Sequence, residues 1–124
     1  MIAYVTLGTT DVPRAAAFYD QVLVLLGAKR QWEGERGISW GTGHTQPGLG
    51  VTLPFDGQPA TVGNGVMVSL SAPDHDTVNR VHALALKLGG QDEGAPGPRG
   101  GFFHAAYFRD LDGNKLMVCC PLKS

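Results

Sequence analysis

Histidine and cysteine are the side chains best suited to proton transfer, metal ligation or nucleophilic attack near neutral pH. This chain has four of the first and two of the second. His104 is the most informative. It lies among Phe102, Phe103 and Tyr107, just before an Asp110-Leu111-Asp112-Gly113-Asn114 turn, where an imidazole could serve as a general base or a ligand. Strand alternation gives it the face of Ala106 and Phe108, opposite Phe103, Ala105, Tyr107 and Arg109. If Phe108 packs under a helix, His104 points away from any cavity and is structural. His75 and His82 share one helical stretch and read as solvated helix surface. His44, in the loop from Gly41 to Gly50, reads as exposed.

Cys119 and Cys120 are neighbours. Their side chains point to opposite faces of a strand, which disfavours a disulfide between them. Arg109 reads as a structural partner for Asp110 or Asp112. The Asp-x-Asp-Gly pattern lacks the length and the later Glu of a calcium loop. No Gly-rich phosphate loop follows a strand, and there is no Ser nucleophile elbow and no Cys-x-x-Cys pair.

These residues are positioned by a pattern that the chain uses twice. Tyr4-Val5-Thr6-Leu7 followed by Asp11 returns as Met67-Val68-Ser69-Leu70 followed by Asp74. Gly48-Leu49-Gly50-Val51-Thr52-Leu53-Pro54 returns as Lys115-Leu116-Met117-Val118-Cys119-Cys120-Pro121. An internal repeat of this kind predicts two equivalent modules. Residues 2–8 alternate as a strand. Asp11 and Pro13 open a helix whose apolar stripe is Ala15, Phe18, Val22, Leu25 and Leu26, and Gly27 closes it. Residues 28–34 and 37–42 read as a hairpin, and 49–54 as a strand. The second copy gives a strand at 66–72 and a helix at 74–88 with Val78, Val81, Ala85 and Leu88 inward. Strands at 102–109 and 115–120 follow. Four glycines and two prolines within 94–101 predict a mobile loop.

The repeat makes each module β-α-β-β-β. The fold expected is α+β, with two βαβββ modules forming a half-open curled mixed sheet and helices on its convex face. One domain spans 1–124: module 1 at 1–54, a turn-rich linker at 55–65 that could cover a pocket mouth, and module 2 at 66–124. Val5, Leu7, Val51, Leu53, Val68, Leu70, Leu116, Val118 and Cys120 form the helix-facing set. Tyr4, Thr6, Gly50, Thr52, Met67, Ser69, Met117 and Cys119 form the opposite set, small and mixed, as a ligand-holding surface should be. Trp32, Trp40, Phe103 and Tyr107 come from flanking strands, where they could stack on a flat ligand or fill the barrel or a dimer contact.

The segments Thr6–Tyr19, Gly63-Asn64-Gly65 and Tyr107–Lys115, with the repeat, resemble the vicinal oxygen chelate superfamily of glyoxalases, bleomycin and fosfomycin resistance proteins and extradiol dioxygenases. The resemblance implies paired modules, frequent dimers, and a divalent metal held by a first-strand and a last-strand side chain of each module. It puts those positions at Tyr4, Gly50, Met67 and Met117, none of them His, Gln, Glu or Asp. One phenol and two thioethers are poor ligands for a hard divalent ion, so no cofactor is expected.

At 124 residues, with 43% hydrophobic and 17% charged residues and a formal charge of −1, the chain gives no electrostatic reason to expect nucleic acid or an anionic membrane. No apolar run approaches the roughly 18–20 residues that span a bilayer. Met1-Ile2-Ala3-Tyr4 enters a strand pattern without a basic leader, and two reduced cysteines fit the cytoplasm. The function expected is binding of a small organic molecule, in a sequestering, resistance-type or accessory role, by a homodimer. Candidate contacts are Tyr4, Thr6, Trp40, Thr52, Met67, Ser69, Tyr107, Met117 and Cys119. The alternative is a metal-dependent lyase, isomerase or dioxygenase acting on vicinal oxygens through other ligands such as His104 or His44.

Overall fold

The computed structural model describes residues 1–123. Helix α1 (Val12–Val24) starts where the Asp11 carboxylate accepts the Arg14 backbone N–H at 3.0 Å, satisfying a donor that has no intrahelical partner. Pro13 is tolerated for the same reason. Gly27, at φ 79°, ends the helix, and Ala28 N–H closes onto the Leu23 carbonyl. Helix α2 (His75–Lys87) repeats the device: Asp74 accepts from the Thr77 backbone N–H at 2.8 Å and the Thr77 hydroxyl at 2.6 Å.

Module 1 contributes β1 (Tyr4–Gly8), β2 (Lys29–Gly34), β3 (Gly37–Gly41) and β4 (Gly48–Thr52) in the order β1-β4-β3-β2. Module 2 contributes β5 (Val68–Ser71), β6 (Gln91–Arg99), β7 (Phe103–Arg109) and β8 (Lys115–Pro121) in the matching order β5-β8-β7-β6. In both sheets the first strand runs parallel to the last and the remaining pairs are antiparallel. The architecture is α+β with two open mixed sheets, as the repeat predicts.

One apolar cluster serves both modules. Leu7, Ile38, Trp40, Leu49 and Val51 from the first sheet and Ala106, Phe108, Leu116, Val118 and Cys120 from the second pack with Phe18, Tyr19, Val22, Val78, Val81 and Ala85 of the helices. Phe18 stands edge-on to Tyr19 at 5.1 Å, and Tyr19 lies 5.6 Å from Trp40, an arrangement that aromatic quadrupoles favour. The turn 110–114 locks the modules together. Asp110 Oδ1 accepts the Asp112 and Asn114 backbone N–H groups, and Asn114 Nδ2 donates to the Gly8 carbonyl at 2.9 Å. Asp112 pairs with Arg14 at 2.7 Å.

Three expectations need correction, and the two alternatives for Trp40 are narrowed. Residues 94–99 are strand rather than mobile loop: β6 pairs with β7 through Arg99, with register shifts around Gly94. As an outer strand it is the place in a sheet where Pro96 and Pro98, which lack N–H groups, are tolerated. His82 is buried rather than solvated, because Asp92 at the start of β6 lies 3.0 Å from its Nε2. Arg109 is held by Glu93 and the Gly113 carbonyl instead of Asp110 or Asp112, whose carboxylates are taken by backbone, Tyr19, Asn114 and Arg14. Trp40 joins the core, 1% exposed, since it pairs with Leu49 on the helix-facing side and its indole N–H donates to Asp20 at 2.8 Å.

Candidate functional site

Each sheet turns one face to its helix and leaves the other open. On the open face of the first sheet lies a cleft of about 560 Å³. Tyr4, Thr6 and Thr52 line it, with Gln31, Trp32, Ser39 and His44. A bulge in β2 between Arg30 and Trp32 changes the side-chain phase. Arg30 therefore turns to Asp20 on α1, while Gln31 and Trp32 both reach the cleft. The Trp32 ring lies over Gly34, where a Cβ would come within 2.6 Å of it. Thr52 is anchored by its hydroxyl, which donates to the Arg36 carbonyl at 3.0 Å. Trp40 also borders the cleft, with its side chain buried in the core, 1% exposed.

The open face of the second sheet gathers Ser69, Tyr107, Met117 and Cys119, which occupy matching register positions on β5, β7 and β8. Ser69 Oγ and Cys119 Sγ are 3.4 Å apart. Ala105 and Met117 are buried, yet neither belongs to the main core cluster. They form the floor of this face. Met67 sits at its edge, in a separate cleft with residues 62–66, Arg109 and Lys115. The linker thus borders this cleft. The candidate contacts therefore fall into two groups, one on each sheet.

Tyr4 and Met67 are largely exposed, Gly50 lies within β4, and Met117 is buried on β8. These four residues offer a phenol, two thioethers and one position with no side chain, a donor set that does not fit a hard divalent ion. Among the described residues no group of three or more His, Cys, Asp or Glu side chains is gathered for metal ligation.

His104 lies on the helix side of its sheet. Its Nε2 is 2.8 Å from Asn79 Oδ1 and its ring stacks on His75 at 4.2 Å, nearly parallel. Burial, then the charges of His75 and Arg99, hold its pKa below the ordinary 6.5. Phe108 is fully buried under α2, so the alternation argument gives the correct side for His104. His44, by contrast, is a lining residue of the first cleft. Burial, then Asp74 and Cys119, push the Cys120 thiol up. The residues missed from sequence are Gln31 and Ser39 in the first cleft and Arg99 and Lys115 beside Tyr107 in the second face. Gln31 is concealed by the bulge and Arg99 by a Gly/Pro-rich composition.

The sequence pattern of the Glyoxalase/Bleomycin resistance protein/Dioxygenase superfamily matches residues 1–118. A glyoxalase/bleomycin resistance protein from Albidiferax ferrireducens T118 is 31% identical, with 97% of this chain and 98% of that chain covered at a TM-score of 0.88. Two more distant structures share the fold. A hypothetical protein, SA1046, from S. aureus has 23% identity over 97% of this chain and 92% of its own, at a TM-score of 0.75. A lactoylglutathione lyase from Agrobacterium tumefaciens has 20% identity over 97% and 92%, at 0.71. No curated protein matches. With the family match over residues 1–118 and the shared fold, the chain belongs to the glyoxalase/bleomycin resistance protein/dioxygenase superfamily.

Proposed function

We propose that this protein binds a small organic molecule on the open faces of its sheets, without a divalent metal, in a sequestering, resistance-type or accessory role. The observation that carries the reading is the composition of the first cleft. Its volume, about 560 Å³, is in the range that encloses a drug-sized ligand. Trp32 and Tyr4 offer exposed aromatic surface, 59% and 68%, and Gln31, Ser39 and Thr6 offer neutral hydrogen-bonding groups around it. The donor set at Tyr4, Gly50, Met67 and Met117 supports the metal-free part.

A homodimer belongs to the same reading. Tyr4, Met67 and Phe103 are apolar and exposed along the open faces, surface that a second copy would cover. Two free cysteines fit a reducing compartment, the cytoplasm. Among the described residues no helix is long and apolar enough to cross a membrane.

The test is elemental analysis of protein purified without chelator, followed by a ligand thermal-shift screen with and without EDTA. Binding predicts no stoichiometric metal, and ligand-induced increases in Tm that EDTA leaves unchanged. Near-stoichiometric iron, nickel, manganese or zinc would overturn the metal-free reading and favour a lyase, isomerase or dioxygenase.

A further inference from the structure

We propose that the open face of the second sheet carries an oxyanion subsite, made by Arg99 and Lys115 beside Tyr107, which takes the carboxylate or phosphate of the bound molecule. The proposal rests on the reading that the open faces bind a small organic ligand, and it names the charge of that ligand.

Tyr107 stands on β7, between β6 and β8. Arg99 from β6 brings its guanidinium carbon to 5.5 Å from the Tyr107 ring centre, and Lys115 from β8 brings its ammonium to 5.6 Å. A ring face orders a cation at modest energy but does not neutralise it. The carboxylates that form ion pairs are engaged elsewhere: Glu93 on Arg109, Asp112 on Arg14, Asp20 and Glu33 on Arg30, and Asp92 on His82. Among the described residues neither Arg99 nor Lys115 has a carboxylate partner.

The backbone is shaped to hold Arg99 in this position. A Cβ at Gly97 would stand 3.1 Å from Arg99 Nη1, and one at Gly94 would stand 3.4 Å from Nη2 and 3.0 Å from Tyr107 Cδ2. The two glycines leave room beside β6 for the guanidinium. There Nη2 donates to the Ala95 carbonyl at 2.6 Å and Nη1 to the Pro98 carbonyl at 3.2 Å. The cation is therefore oriented before any ligand arrives, which reduces the ordering cost of binding. Ala105 and Met117 floor the face, and Ser69 adds a hydroxyl.

The charge is local. The chain as a whole has a formal charge of −1, and the residues that line the first cleft include no Lys, Arg, Asp or Glu. Two cations without a carboxylate partner among the described residues, on an aromatic platform above an apolar floor, match an oxyanion through charge-assisted hydrogen bonds.

The test titrates the intact protein with phenyl phosphate, benzoate and the uncharged benzyl alcohol, followed by backbone amide shifts of β6–β8. At least one anion should bind about tenfold more tightly than the alcohol and weaken as salt is raised. R99Q and K115Q should each cost that anion about tenfold and leave benzyl alcohol unchanged, while R99K retains most of the affinity. Preference between phenyl phosphate and benzoate distinguishes the two sources of oxyanion. Equal binding of all three probes, insensitive to both variants, overturns the oxyanion subsite and leaves small-molecule binding standing. Absence of binding by every probe at β6–β8 also overturns the oxyanion subsite, while the first cleft is judged separately by the thermal-shift screen.

Discussion

The Tyr19 hydroxyl donates to Asp110 Oδ2 at 2.6 Å across 91 positions of sequence. It is the buried polar contact between the first helix and the turn of the second module, and Asn114 donates to the same oxygen at 3.0 Å. Burial and the Asp110 charge push the Tyr19 pKa well above its ordinary value, so the phenol stays a donor at any physiological pH. Tyr19→Phe removes a hydrogen bond to a charged acceptor that is itself buried. It should cost about 1.5–3 kcal/mol, measured as a lower urea midpoint with an unchanged m value.

His104 predicts a dependence of stability on pH. Its folded pKa is depressed below 6.5, so the unfolded chain protonates first as pH falls. Stability from this group is complete above about 6.5 and declines as pH drops from there through the folded pKa. His104→Gln should flatten that part of the profile. The check is the difference between variant and parent unfolding midpoints across roughly pH 5–7.5, made in a His75→Gln background so that the stacked neighbour, which is coupled to His104, does not enter the difference.

His82 and Asp92 form one pair with unequal surroundings. The imidazole is 8% exposed and the carboxylate 55%. His82→Ala empties a packed position and should cost about 1–3 kcal/mol. Asp92→Ala should cost less, because its carboxylate is solvated already. Equal effects from the two variants would mean that the ion pair, not the packing, dominates.

Gly90 fits where no side chain can. A Cβ there would lie 2.7 Å from the Arg109 carbonyl oxygen and 2.8 Å from that of Ala85, and backbone does not swing aside as a side-chain end does. Gly90→Ala should destabilise by roughly 1–3 kcal/mol. Gly43 is the control, because a Cβ there would meet nothing within 4 Å. Gly43→Ala should stay within about 0.5 kcal/mol of the parent in the same denaturant titration.

Where local chemistry decides, the sequence is readable. Asp11 and Asp74 cap because a carboxylate satisfies first-turn N–H groups, and Gly27 stops a helix because its φ is positive. The alternating strands sort Leu7, Val51 and Val118 inward and Thr6 and Ser69 outward. Legibility ends where pairing overrides composition. Residues 94–99 have the content of a loop, but β7 recruits them as an outer strand, and that step creates the Arg99 position. The phase of Trp40 depends on its partner Leu49, and the phase of Trp32 on a bulge. Neither can be counted from one strand alone. His82 carries no apolar signature, so its burial becomes visible only once Asp92 is known to lie beside it.

The prolines of β6 have a further consequence, for how sheets grow. Each sheet ends in two outer strands. β6 lacks two N–H groups and is irregular, while β2 is bulged and carries Lys29, Arg30 and Glu33. Such borders resist strand addition. β1 and β5 have neither charge nor proline. Strand addition is therefore disfavoured on one side of each module, and any edge-to-edge joining of copies is confined to the β1 and β5 sides.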